Sequence, residues 1–79
     1  MHIEVGYFAI LREQRGLDRE ILHVESPDLR QLYRDLVRRH ALSLGERHVR
    51  PAVNDEFCDW DRPLAEGDFV VFVPPVAGG

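Results

Sequence analysis

The sequence predicts an α+β domain in which one main helix covers a single face of a mixed sheet of about five strands, with one short helix beside it. Three observations carry this. Segments of alternating and of 3.6-residue periodicity follow one another as strand, helix, strand, helix and then three strands. The longer helical segment has apolar residues on one side only. The last strand, Phe69 to Val73, is apolar at every position, so it shows apolar side chains to both sheet faces. A length of 79 residues leaves room for one domain and no second.

Taken in order, His2 to Phe8 alternates Ile3, Val5 and Tyr7 against His2, Glu4 and Gly6, the period of a half-buried strand. Phe8 falls on the polar side, where a large aromatic is unexpected. Phe8 to Arg15 reads as a short helix stopped by Gly16, since glycine accepts the left-handed C-terminal position. Arg19 to Glu25 is a second strand, close enough to return antiparallel along the first. Ser26-Pro27-Asp28 opens the main helix: Ser26 caps the orphan amides, Pro27 fills the first turn, and Asp28 favours the positive end of the dipole. Leu29, Leu32, Tyr33, Leu36, Val37 and His40 share one side of it, and Arg30, Arg34 and Arg38 lie opposite as a solvated face.

Beyond a polar loop around Gly45, Val49 to Asn54 is a third strand whose Pro51 belongs at an edge or an entry. Asn54-Asp55 is a turn, and Phe57 to Trp60 is a short fourth strand. Phe57 and Cys58 must then point opposite ways, which sends Phe57 outward and Cys58 into the core. Asp61-Arg62-Pro63 leads through Leu64 to a Glu66-Gly67-Asp68 turn and into the last strand.

Composition removes whole classes of function. With 44% apolar and 30% charged residues the chain has the balance of a folded globular protein, which excludes wholesale disorder. The apolar run at Phe69 to Val73 is far short of a membrane span, and the N-terminus lacks a signal-peptide core, so a cytoplasmic protein is expected. The lone Cys58 closes no internal disulfide, which suits a reducing compartment. A net charge of −4 argues against nucleic acid and anionic membranes and favours a basic or neutral protein partner. Lysine and threonine are absent, so there is no P-loop, Schiff base or isopeptide acceptor on this chain. His2, His23, His40, His48 and Cys58 show no ligand spacing, and no metal site is expected.

Two features do point to a function. One helix covers only one sheet face; with Val70 and Phe72 beneath it, Phe69, Val71 and Val73 are left outside, joined by Phe8 and Phe57. Such a contiguous apolar patch marks a protein interface. The second feature is Pro74-Pro75-Val76-Ala77-Gly78-Gly79, where two prolines stop the sheet and a slender, flexible Gly-Gly tail over 76–79 is expected to follow a domain spanning 1–75. Small residues let a tail thread a narrow channel, which makes the Gly79 carboxylate the expected reacting group. A carboxylate is activated by giving it a leaving group such as AMP, after which sulfur can capture the acyl group.

The run Val70-Val-Phe-Val-Pro-Pro-Val-Ala-Gly-Gly79 resembles the terminus of the MoaD family, the small subunits of molybdopterin synthase. Tyr7-Phe8-Ala9 with Leu11-Arg12-Glu13, Ala52-Val53-Asn54, and Pro63-Leu64 with Gly67-Asp68 extend the likeness over nearly the whole chain. The resemblance implies the ubiquitin-like β-grasp fold and a sulfur carrier with no permanently bound cofactor. In that family ATP is used by an adenylating activating enzyme (MoeB type), the terminal glycine becomes a thiocarboxylate, and the large subunit (MoaE type) receives the tail and passes sulfur to cyclic pyranopterin monophosphate. It implies a reactive Gly79 preceded by Gly78, and partner contacts at Phe8, Phe57, Val73, Pro74 and Pro75. Val73 stands where a bulkier aromatic is usual, and Asp55-Glu56 makes the neighbouring turn more acidic. A thiamin-type sulfur carrier and a ubiquitin-like protein modifier share the Gly-Gly ending, and a binding module without carrier activity would share the apolar face.

Overall fold

In the computed structural model, which describes residues 1–75, the elements are β1 (His2–Tyr7), α1 (Ala9–Arg15), β2 (Arg19–His23), α2 (Leu29–His40), β3 (Arg50–Val53), β4 (Glu56–Phe57) and β5 (Phe69–Val73), with a 3-10 turn at Glu46–His48. The five strands form one mixed sheet in the order β2-β1-β5-β3-β4. β1 runs parallel to β5, with Val5 opposite Val70, and the other neighbours are antiparallel. A parallel pair needs a long crossover, and here the chain from β2 through α2 to β4 provides it.

The core lies between the sheet and α2. Ile3, Val5 and Tyr7 of β1 and Val70 and Phe72 of β5 point into it, against Leu29, Leu32, Tyr33 and Leu36 of α2. Tyr33, Phe72 and Trp60 form an aromatic cluster with ring centroids 4.7 to 5.9 Å apart, and the Tyr33 hydroxyl donates to the Leu44 carbonyl at 2.6 Å. Tyr7 donates to Glu20 at 2.6 Å, and Glu20 also accepts two bonds from Arg15. This network ties β1, α1 and β2 together at a site largely shielded from water.

Several boundaries differ from the sequence reading, each for a tertiary reason. β1 ends at Tyr7 rather than Phe8. The Tyr7 amide still reaches the Asp18 carbonyl, and a left-handed Ala9 (φ 51°) then turns the chain into α1, so Phe8 precedes that helix in extended conformation. β2 stops at His23 rather than Glu25; pairing reaches one residue further, the Val24 amide donating to the Met1 carbonyl and the Met1 terminal ammonium to the Val24 carbonyl, each at 2.8 Å, and then the partner strand has run out. The cap of α2 is Asp28 and not Ser26. Asp28 Oδ1 accepts from the Gln31 amide, Ser26 Oγ accepts from the Asp28 amide, and the Leu64 amide holds the Pro27 carbonyl outside the helix.

β3 is shorter at each end than Val49 to Asn54, because the 3-10 turn and the left-handed Asn54-Asp55 pair (φ 53° and 72°) bound it. The Pro51 backbone faces the β4 side, where its carbonyl accepts from Cys58 and β4 has ended, so no ladder bond is lost. β4 consists of Glu56 and Phe57 and shares only Phe57 with the expected Phe57 to Trp60. Trp60 is drawn down onto Tyr33 and Phe72, which pulls the following chain off the sheet. Cys58 faces the core as expected but is half-buried rather than buried. The arginine face of α2 is a surface ion-pair array, with Arg30 and Arg34 on Glu46 and Arg38 on Asp35.

Candidate docking face and the chain end beyond it

Strand alternation decides what the sheet shows on the side away from α2. The ladder registers place Glu4 and Gly6 of β1, Phe69, Val71 and Val73 of β5, Ala52 of β3 and Phe57 of β4 on this side together. Phe8 joins them from the end of β1. Phe8 is 50% and Phe57 55% exposed, and Val71 and Val73 are half-buried, so no described segment folds over the face. The expected residues are brought to one side, with Phe8 and Phe57 at its flanks and Val73 at the point where β5 leaves the sheet.

Three features of the face escaped the sequence reading. Gly6 permits the Phe69 ring to lie across β1: a Cβ at position 6 would stand 3.2 Å from that ring and 3.4 Å from Val71. The signal was present, since a glycine inside an alternating strand marks a close approach. Arg19 stacks over Phe69 at 4.6 Å and Arg50 over Phe57 at 4.0 Å, so two rings of the face each carry a guanidinium. Ile21, on the same side of edge strand β2, is 73% exposed. The arginine stacks had no local signal, because the partners meet across strands.

At the end of β5 the chain continues into Pro74, which is buried, and Pro75, which is exposed. These two residues and Val73 border a pocket of about 440 Å³ with Arg47, His48, Arg50 and Phe57. Gly78 and Gly79 lie outside the described residues. The root of the arm is anchored from the other end of the strand pair as well. Asn54 accepts from the Phe69 amide and donates to Asp68, which in turn accepts from the Ala65 amide. This clasp pins the β3–β4 turn to the start of β5 and satisfies the buried Asp68 carboxylate.

Cys58, Tyr7 and Glu20, whose titration is shifted, lie on the core side of the sheet and not on the open face. Burial pushes the Cys58 thiol above its ordinary range, against the weaker pull of Arg62, so it is protonated at neutral pH. Burial and the bond to Glu20 raise Tyr7 well beyond its usual value, while Arg15 holds the Glu20 carboxyl low. Among the described residues no three His, Cys, Asp or Glu side chains are placed to hold a metal ion, and no helix is long and apolar enough to cross a membrane. What this arrangement can do is bind a protein surface and present the chain that follows Pro75.

The ThiS family model matches residues 5–79. The chain is 36% identical to the molybdopterin synthase sulfur carrier subunit of Escherichia coli K12, over 98% of this chain and 99% of that one. Among solved structures, SAMP1 from Haloferax volcanii superposes with a TM-score of 0.81 at 25% identity, over the full length of both chains. One chain from a complex of subunits 1 and 2 of the molybdopterin-converting factor from Helicobacter pylori matches with a TM-score of 0.69 at 28% identity, again over the full length of both chains.

Proposed function

The chain belongs to the ThiS family, and on that premise we propose that it is the sulfur-carrier small subunit of a molybdopterin synthase. The observation that carries the reading is one of continuity. The strand that lines the open apolar face, β5, is the strand that runs straight into Pro74-Pro75 and the Gly-Gly ending. A partner that covers the face therefore also fixes the direction of the arm. The six residues after Val73 reach at most about 20 Å, enough to enter a neighbouring active site and no further.

The chemistry belongs to the Gly79 carboxylate. Its carbon is a poor electrophile until an activating enzyme transfers AMP from ATP onto one oxygen, with release of pyrophosphate. A hydrosulfide-level sulfur nucleophile then attacks that carbon, AMP leaves with the electron pair of the broken C–O bond, and the acyl group is left as a thiocarboxylate. Docking of the large subunit against Phe8, Phe57 and Val73, with Pro74 and Pro75 stiffening the exit, positions this sulfur for transfer to cyclic pyranopterin monophosphate. Glycine at 78 and 79 keeps the tail to backbone width. The half-buried, protonated Cys58 takes no part. We place the protein in the cytoplasm, where the lone thiol stays reduced.

The likeness to SAMP1 supports a second reading, a protein modifier whose activated Gly79 is captured by an amine rather than by sulfur. One experiment separates the two. The protein is incubated with activating enzyme, ATP and a sulfur donor, and its intact mass is measured. Replacement of one terminal oxygen by sulfur is expected, and a variant with one residue appended after Gly79 should lose both this change and ATP–pyrophosphate exchange. Unaltered exchange by the extended variant overturns the carrier reading, and amide-linked conjugates without thiocarboxylate favour the modifier.

A further inference from the structure

Charge is distributed unevenly around the open face. On the β1–β2 side the cations are matched, Arg19 by Glu4 at 3.1 Å and Arg12 by Asp18 at 3.7 Å. On the arm side they are not. Arg50, opposite Val73 at the start of β3, and Arg47 in the preceding 3-10 turn form no ion pair among the described residues. Glu46, next to Arg47 in sequence, is already held by Arg30 and Arg34. The acidic Asp55-Glu56 turn stands at the other end of the hairpin: Asn54 faces the beginning of β5 and Arg50 its end, and four residue steps along the strand separate them by about 13 Å. A chain of net charge −4 thus turns a positive corner toward the root of its own arm.

That corner is also a pocket, lined by Phe57, Val73 and Pro74 together with Arg47, His48 and Arg50. Guanidinium groups beside apolar side chains match a carboxylate flanked by an apolar side chain. We propose that the pocket at the root of the arm receives a carboxylate-bearing segment of the large subunit, so that the face docks arm end first. The net charge alone favours a basic or neutral partner; the local charge selects an acidic strip at the mouth of the channel that admits the tail. This rests on the carrier reading above and deepens it. Opposite potentials act mainly on the association rate, and they act before the apolar surfaces meet.

The test is stopped-flow association of the parent, of Arg47→Glu/Arg50→Glu and of Arg38→Glu/Arg39→Glu with the large subunit across a salt series. The two variants carry the same charge change on opposite sides of the molecule. At low salt the arm-side pair should slow association by about tenfold or more and flatten its salt dependence, while the helix-side pair stays within about twofold of the parent. Melting curves confirm folding, and Arg47→Gln/Arg50→Gln, which keeps most of each side chain, should show a smaller slowing. An equal effect of both charge reversals, or a parent rate indifferent to salt, overturns the proposal. Phe57→Ala separates it from its premise: a complex that is weakened by Phe57→Ala but blind to Arg47 and Arg50 refutes only the acidic strip, whereas a parent chain that forms no complex refutes the carrier reading itself.

Discussion

Truncating Phe57 to alanine tests the docking face most directly, because the side chain is both exposed and central to the arm side of the patch. Alanine is the better probe than aspartate, since Arg50 lies 4.0 Å from the ring and would neutralise an introduced carboxylate. Phe57 is 55% exposed, which leaves about 110 Å² of a side chain of about 200 Å² for a partner to cover. At about 25 cal/mol per Å² this amounts to about 2.7 kcal/mol, of which the alanine methyl retains about a quarter, so affinity should fall by about 2 kcal/mol, or about 30-fold. In the free domain the variant loses the Arg50 stack, a cost of about 0.5–1 kcal/mol at an exposed site. For a chain of this size that lowers Tm by no more than about 8 °C. Titration calorimetry with the large subunit at 25 °C reads the first quantity and scanning calorimetry of the free protein the second. A folded Phe57→Ala protein that binds within about twofold of the parent would show that the partner grips some other surface.

Two further substitutions probe the scaffold. Glu20→Gln keeps the shape of the Tyr7–Glu20–Arg15 network but removes its charge, and should cost about 1–2 kcal/mol at pH 7. Arg15 lowers the folded-state pKa of Glu20, so the ionised group stabilises the protein above its unfolded value of about 4.3 and the benefit is lost as pH falls through the lower folded value. Denaturant melts should therefore show the gap between parent and variant closing below about pH 4; a gap that stays constant from pH 7 to pH 3 contradicts the assignment. Cys58→Ala removes a half-buried thiol whose sulfur lies 3.9 Å from the Pro51 carbonyl, and should lower stability by about 1 kcal/mol while leaving sulfur transfer at the parent rate. Loss of transfer in a folded Cys58→Ala protein would reveal a persulfide step.

The order of elements, the antiparallel β1–β2 return and the apolar two-sidedness of β5 were legible in the sequence, because each depends on neighbours within a few residues. Alternation was also enough to put Phe57 and Val73 on the uncovered side of the sheet, with Phe8 beside them at the end of β1; Gly78 and Gly79 lie outside the described residues. The errors fell where a distant group intervened. The Leu64 amide moved the cap of α2 from Ser26 to Asp28, and the Tyr33–Phe72 cluster took Trp60 and cut β4 to two residues.

The strand order, with β1 parallel to β5, sets Gly6 beneath Phe69 and Arg50 beside Phe57, and through them the charge around the face. Sequence by itself determined which side of each strand is apolar, since that is a periodicity of the covalent chain. Which strands lie side by side, and so which guanidinium ends up over which ring, was decided by closing the core, since many registers satisfy the same alternation and the one adopted buries Val5, Val70 and Phe72 together under α2.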